Sequence, residues 1–202
     1  MGFKENGFAI LRNVLSEEMC DFFSEYMCNK SQVVKTMRDY EFINKFNGEY
    51  GYFEDEQVPN TFSIYGDIMT DMLLVKMKSL LEQQTGLKLQ EQYSYLRVYK
   101  KGDDLKKHKD RPQCEISTTL NLGGDKIWPI FLESNVVNKV ELAPGDLLIY
   151  RGCDFAHWRE PFEGEICIQT FLHYSDVNGP IYDGKKFDHR PHLGLPAWFK
   201  GR

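Results

Sequence analysis

His108, Lys109 and Asp110 put an imidazole and a carboxylate two positions apart. In an extended segment side chains alternate, so both face the same side. One imidazole nitrogen and one carboxylate oxygen can then meet at a single metal ion. Two histidines and a carboxylate on one face of an octahedron leave the remaining positions open. A second histidine is therefore needed. His157 is the best placed, in Tyr150-Arg151-Gly152-Cys153-Asp154-Phe155-Ala156-His157, soon after the apolar run at 147–150. His173 competes for the place. It shares parity with Cys167, Gln169 and Phe171 on an alternating segment and reads as a core histidine, or one that supports a ligand from behind. His189 and His192 fall in an irregular stretch and read as surface residues. H-x-D alone is a common triplet, with a solvated turn as its plain alternative.

The elements that must position these groups change character near residue 90. Before it, helix signals dominate. Ser16 caps a stretch with Met19, Phe22, Phe23, Tyr26 and Met27 at helical spacing, and Glu17 and Glu18 favour its first turn. A second helix is expected from Asp67 to Gln84, with Ile68, Met72, Val75, Leu80 and Leu81 on its buried side and Gly86 as its stop. After residue 90 the pattern is short strands, expected at 93–99, 116–122, 128–132, 139–142, 147–150 and 165–174, with turn chemistry at Gly102, at Gly123-Gly124 and at Pro144-Gly145. No long helical pattern separates the strands, so a parallel sheet with helical crossovers is disfavoured and an antiparallel sandwich or barrel is expected.

The chain of 202 residues reads as a single domain, with a helix-rich part at 1–90, a barrel core at 91–176 and an irregular tail at 177–202. Its 25 basic and 30 acidic residues give a net charge of −5, which argues against a partner bound mainly through nucleic-acid phosphates. No apolar run approaches a membrane span, and the start has no apolar secretory core. Five cysteines without a CxxC pair read as reduced thiols, and a cytoplasmic location is expected.

The stretch from Tyr99 to Asp110 has the form Y-x-x-G-x-x-L-x-x-H-x-D. It resembles the entry to the metal site of the iron(II)- and 2-oxoglutarate-dependent dioxygenases, particularly the prolyl 4-hydroxylase-like branch. Ile116–Leu122, the run Ala143-Pro144-Gly145-Asp146 leading into 147–150, His157 and 166–174 are similar to later pieces of that family, in the same order. The lead-in from Gly7 to Ser16 is similar as well. The resemblance implies a double-stranded β-helix, a jelly-roll barrel flanked here by N-terminal helices. It implies iron(II) held by His108, Asp110 and His157, with 2-oxoglutarate and dioxygen at the open positions. The implied reaction couples decarboxylation of 2-oxoglutarate to succinate with hydroxylation of a C–H bond in a protein residue, a small molecule or a modified base.

One departure stands out. Relatives carry an Arg or Lys roughly ten residues past the distal histidine for the far carboxylate of 2-oxoglutarate; here Ile166 or Cys167 occupies that place. Arg159, Arg97 and Arg111 are the candidate replacements. Tyr99 stands where relatives place a tyrosine near the cosubstrate, and Thr119 and Gln169 are candidate hydrogen-bond partners. The missing cation keeps two other readings open: a jelly-roll binding protein without turnover, and a cupin-like metalloprotein. The run Lys100, Lys101, Lys106, Lys107 and Lys109 reads as a solvated loop or a landing strip for an anion. Cys114 and Glu115 are candidates for orienting the ligands, and residues 44–60 are a candidate lid.

Overall fold

The computed structural model describes residues 2–200, so Met1, Gly201 and Arg202, the ends of the expected unit, lie outside it. A short helix α1 (Phe3–Asn6) and strand β1 (Phe8–Leu11) lead into the long helix α2 (Glu17–Asp39). Strand β2 (Phe62–Tyr65) and helix α3 (Ile68–Thr85) follow. The rest is antiparallel: β3 (Leu89–Lys100), β4 (Leu105–His108), β5 (Ile116–Gly124), β6 (Ile130–Glu133), β7 (Val137–Val140), β8 (Leu147–Arg151), β9 (Ala156–Arg159) and β10 (Ile166–Asp176). They form a six-stranded sheet in the order β1-β8-β5-β10-β3-β2 and a four-stranded sheet in the order β4-β9-β6-β7. This is the expected jelly roll with helices on one side.

The helix ends follow the expected signals. Ser16 accepts from the Met19 amide, and Asp67 accepts from the Met69 amide at 2.9 Å. Gly86 closes α3 in the left-handed region, φ 73°, where a side chain would be strained. Asp67 also takes an ion pair from Lys30 and a hydroxyl from Tyr26, so one cap ties α2 to the start of α3.

The buried faces agree with expectation in part: Leu81 is buried and Leu80 packs on the core as expected, and Phe23 and Met27 of α2 are buried. On α3, Ile68 (68% exposed) and Met72 (59%) point outward with Val75, while Thr70, Asp71, Leu73, Leu74, Met77 and Leu81 face inward. The cause is polar. Asp71 accepts from the amide and hydroxyl of Ser94 on β3, and its other oxygen accepts from Arg190 and the Gly194 amide in the tail. That network turns the helix away from the face a hydrophobic count selects. On α2, likewise, Met19 and Phe22 are exposed, and Cys20, Phe23, Met27 and Val34 are buried.

The larger sheet separates two environments. One face, with Leu96, Leu120, Ile149 and Leu172, packs under α2 and α3 in the main apolar core. By strict alternation the other face carries Tyr93, Tyr95, Arg97 and Tyr99 on β3, Phe171 and His173 on β10, and Tyr150 on β8. The alternation puts an aromatic and polar wall inside the barrel. The tail is pinned rather than loose: Arg190 is buried against Asp71, and Asp188 binds Arg111 through both oxygens at 3.0 and 2.8 Å.

Candidate metal centre

Two short strands carry the triad. β4 ends on His108, and its partner across the ladder is His157 of β9. Asp110 lies just past β4, where its amide donates to the Gly152 carbonyl at 3.0 Å. His108 Nε2 and His157 Nε2 stand 3.8 and 3.6 Å from Asp110 Oδ1, and the three ligand atoms lie within 4.8 Å of one another. The structure therefore brings together the three residues singled out by the H-x-D pattern and the distal histidine.

The protonation of the set follows from what lies behind it. His108 Nδ1 is 2.7 Å from the Lys106 carbonyl, and His157 Nδ1 is 3.1 Å from the Phe155 carbonyl. A carbonyl only accepts, so each Nδ1 carries a hydrogen, and Nε2 is left as the ring atom that can ligate a metal beside Asp110. Burial holds His157 below the usual histidine range; Asp110 opposes this and His108 reinforces it. The donor set fits a divalent first-row metal bound by two imidazoles and one carboxylate.

Of the supports of this set, the sequence pointed to His173 but not to Ser117. Ser117 Oγ donates to Asp110 Oδ2 at 2.6 Å and accepts from His173 Nδ1 at 3.0 Å. His173, buried and pushed down to about 4 by that burial, is thus a neutral donor that fixes the serine, and is outside the triad. Gly152 packs so close that an added Cβ would strike Asp110 Oδ2, the Cys114 carbonyl and Ser117 Oγ. Cys114 and Glu115 do not do this job. Cys114 Sγ meets the Tyr93 hydroxyl at 2.9 Å, and Glu115 accepts from the Asp176 amide. We expect Ser117→Ala to weaken divalent-metal affinity by about 10–100-fold with the fold retained, as removal of a group behind a ligand does. Unchanged affinity by equilibrium dialysis would contradict its role.

A cavity of about 310 Å³ opens beside the triad, lined by Asp55, Gln57, Tyr95, Arg97, Tyr99 and Phe171 among others. Of the three candidate cations, two are already neutralised. Arg97 pairs with Asp55 at 2.9 Å, and Arg111 pairs with Asp188. Arg159 is different. It is 2% exposed, two positions along β9 from His157, and among the described residues no carboxylate pairs with it. Its Nη1 donates to the Trp128 carbonyl, and its Nη2 reaches only Thr119 Oγ1 and Gln169 Oε1 at 3.4 Å; its Nε is buried with no partner. Burial lowers its affinity for its proton, and the groups that oppose this, Tyr99, Cys167 and Tyr150, include no carboxylate. A buried charge left this bare is costly, which marks a place for an anion.

Arg159, Thr119 and Gln169 do not line the open cavity; Tyr99 does, and its hydroxyl is also buried and unpartnered. Trp128 links the two groups, packing on Tyr99 at 4.8 Å between centroids and under the Arg159 guanidinium at 4.9 Å. The basic run is largely neutralised: Lys100 pairs with Asp103, Lys101 with Glu165, Lys106 with Asp104 and Lys107 with Glu133. His189 meets Asp183 at 3.0 Å, and His192 is exposed. All five cysteines are free, three of them buried. No helix among the described residues is long and apolar enough to cross a membrane.

The fold is the jelly roll found in iron(II)/2-oxoglutarate oxygenases. No family model and no curated protein matches the sequence, but solved structures match the fold. A prolyl-4-hydroxylase from Pseudomonas putida is similar over 86% of this chain and 95% of its own, with TM-score 0.54 and 17% identity. AviO1 from Streptomyces viridochromogenes Tue57 is similar over 88% and 93%, with TM-score 0.63 and 14% identity. HygX from Streptomyces hygroscopicus, solved with nickel and 2-oxoglutarate bound, is similar over 96% and 92%, with TM-score 0.61 and 11% identity.

Proposed function

We propose that the chain is an iron(II)- and 2-oxoglutarate-dependent oxygenase that hydroxylates a C–H bond of a peptide residue or a small molecule. The observation that carries this reading is Arg159, a buried cation without a counter-ion on the strand that presents His157. A metal-binding triad and an unmatched cation inside one barrel suit a ligand that chelates the metal at one end and bears a carboxylate at the other. The solved jelly rolls named above, one of them with 2-oxoglutarate bound, support the choice.

In this reading His108, Asp110 and His157 hold the iron. The bound metal supplies the activation of dioxygen that couples loss of carbon dioxide from 2-oxoglutarate to oxidation of the substrate. The chain's residues do the rest. Ser117 and His173 keep Asp110 turned inward. Arg159, with Thr119 and Gln169, holds the far carboxylate by charge-assisted hydrogen bonds. Tyr99 offers its free hydroxyl along the way. The apolar wall of Leu105, Ile130 and Phe171 limits water. Free cysteines fit a reducing compartment such as the cytoplasm.

A second reading, a jelly-roll metalloprotein without 2-oxoglutarate turnover, is favoured by one observation: Arg159 lies outside the lining of the open cavity. Succinate release separates the two. Wild-type protein with iron(II), 2-oxoglutarate and dioxygen should form succinate above the level of a His108→Ala variant. Equal levels would support the second reading.

A further inference from the structure

Residues 40–61, between α2 and β2, run as an irregular strap, and its Asp55 and Gln57 line the cavity. The strap is fastened to β2 and β3 at several points. Tyr52 exchanges backbone hydrogen bonds with Ser63 at 2.9 and 2.8 Å, and its hydroxyl meets that of Tyr95 at 2.8 Å. Asp55 accepts from the Tyr95 hydroxyl and pairs with Arg97. Gln57 accepts from Arg97 Nη2 through Oε1 at 2.8 Å, and its backbone N–H donates to Asp55 Oδ1 at 2.8 Å. These bonds all stand apart from the triad. One does not: Gln57 Nε2 lies 3.0 Å from His108 Nε2, the strap's one hydrogen bond to a triad side chain among the described residues.

Because His108 Nδ1 holds its hydrogen against the Lys106 carbonyl, Nε2 is the acceptor and the Gln57 amide is the donor. That ring nitrogen has one lone pair. It cannot accept from Gln57 and ligate a metal together. We propose that Gln57 is a gating residue of the metal centre: its side-chain amide and a metal compete for the one lone pair of His108 Nε2. The inference rests on the triad being a metal site. On displacement, Oε1 stays with Arg97 while the amide N–H groups are set free at the edge of the centre, on the solvent-exposed strap. The strap is thereby coupled to metal loading through a single side chain. Tyr150 makes a longer approach of 3.3 Å to His157 Nε2 from a fully buried position and does not connect the strap.

The test is the sign of an affinity change. A residue that supports a metal site weakens binding when removed; one that competes with the metal strengthens it. Gln57→Ala and Gln57→Leu, the latter keeping the bulk, should both bind nickel(II) about fivefold more tightly than wild type by titration calorimetry. That factor corresponds to a net hydrogen bond of about 1 kcal/mol. Affinity equal to or weaker than wild type in both variants would overturn the gating role and leave the metal site standing. Failure of wild type and variants alike to bind nickel(II) would overturn the metal reading itself, and the gate with it.

Discussion

Changing His157 to alanine is expected to abolish stoichiometric binding of iron(II), with affinity falling by more than about 100-fold, beyond what losing a supporting residue costs. His157 is 3% exposed, neutral, and aimed by the Phe155 carbonyl. Its loss leaves one imidazole and one carboxylate, too few donors to hold a labile divalent metal on this open face. The fold should survive. β9 is held by backbone pairing to β4 and β6, and the neighbouring Leu132 and Tyr150 are themselves buried in a separate apolar cluster. The check is iron content per chain after desalting, with circular dichroism to confirm folding. Stoichiometric iron in a folded His157→Ala protein would remove the histidine from the ligand set.

Changing Arg159 to methionine is expected to move stability and binding in opposite directions. The guanidinium is buried, bears a charge with no carboxylate beside it, and has an unpartnered Nε. Replacing a buried charge with an apolar side chain of similar length is often neutral or stabilising. The ligand-free variant should therefore melt at the same temperature as wild type or higher. Its affinity for 2-oxoglutarate should fall by about 10–150-fold, the equivalent of the 1.5–3 kcal/mol of a charged hydrogen bond. Lower stability with unchanged affinity would make Arg159 a structural strut. The anchor would then be sought at Arg97, the arginine beside Asp55 in the cavity wall.

Much of this was legible in the chain because strong local signals coincide with the fold. Asp67 and Gly86 bound α3 as their chemistry requires, and the alternation from 165 to 174 predicts β10, the strand that carries Gln169 and His173. The H-x-D spacing and His157 converge as expected. The two strands that carry the triad were not legible. Leu105–His108 is charged and short, and Ala156–Arg159 mixes polar and aromatic residues over four positions. They acquire strand geometry from each other, and Ala156–Arg159 also from β6, which no local pattern reports. The buried face of α3 was misread at Ile68, Met72 and Val75, though not at Leu80 and Leu81, because Asp71 is inside, and its partners, Ser94 and Arg190, lie 23 and 119 residues away. Ser117 and Gln57 escaped for the same reason. A serine in a strand and a glutamine in a loop carry no signal until the fold sets them against Asp110 and His108.

The most direct measurement is an anaerobic optical titration of metal-free protein with iron(II) and then 2-oxoglutarate. A weak visible charge-transfer band that needs both components, and is lost in the Arg159→Met variant at the same 2-oxoglutarate concentration, is the predicted result. Iron(II) bound with no band at any 2-oxoglutarate concentration would contradict the central claim that this barrel joins a metal and a keto acid in one site.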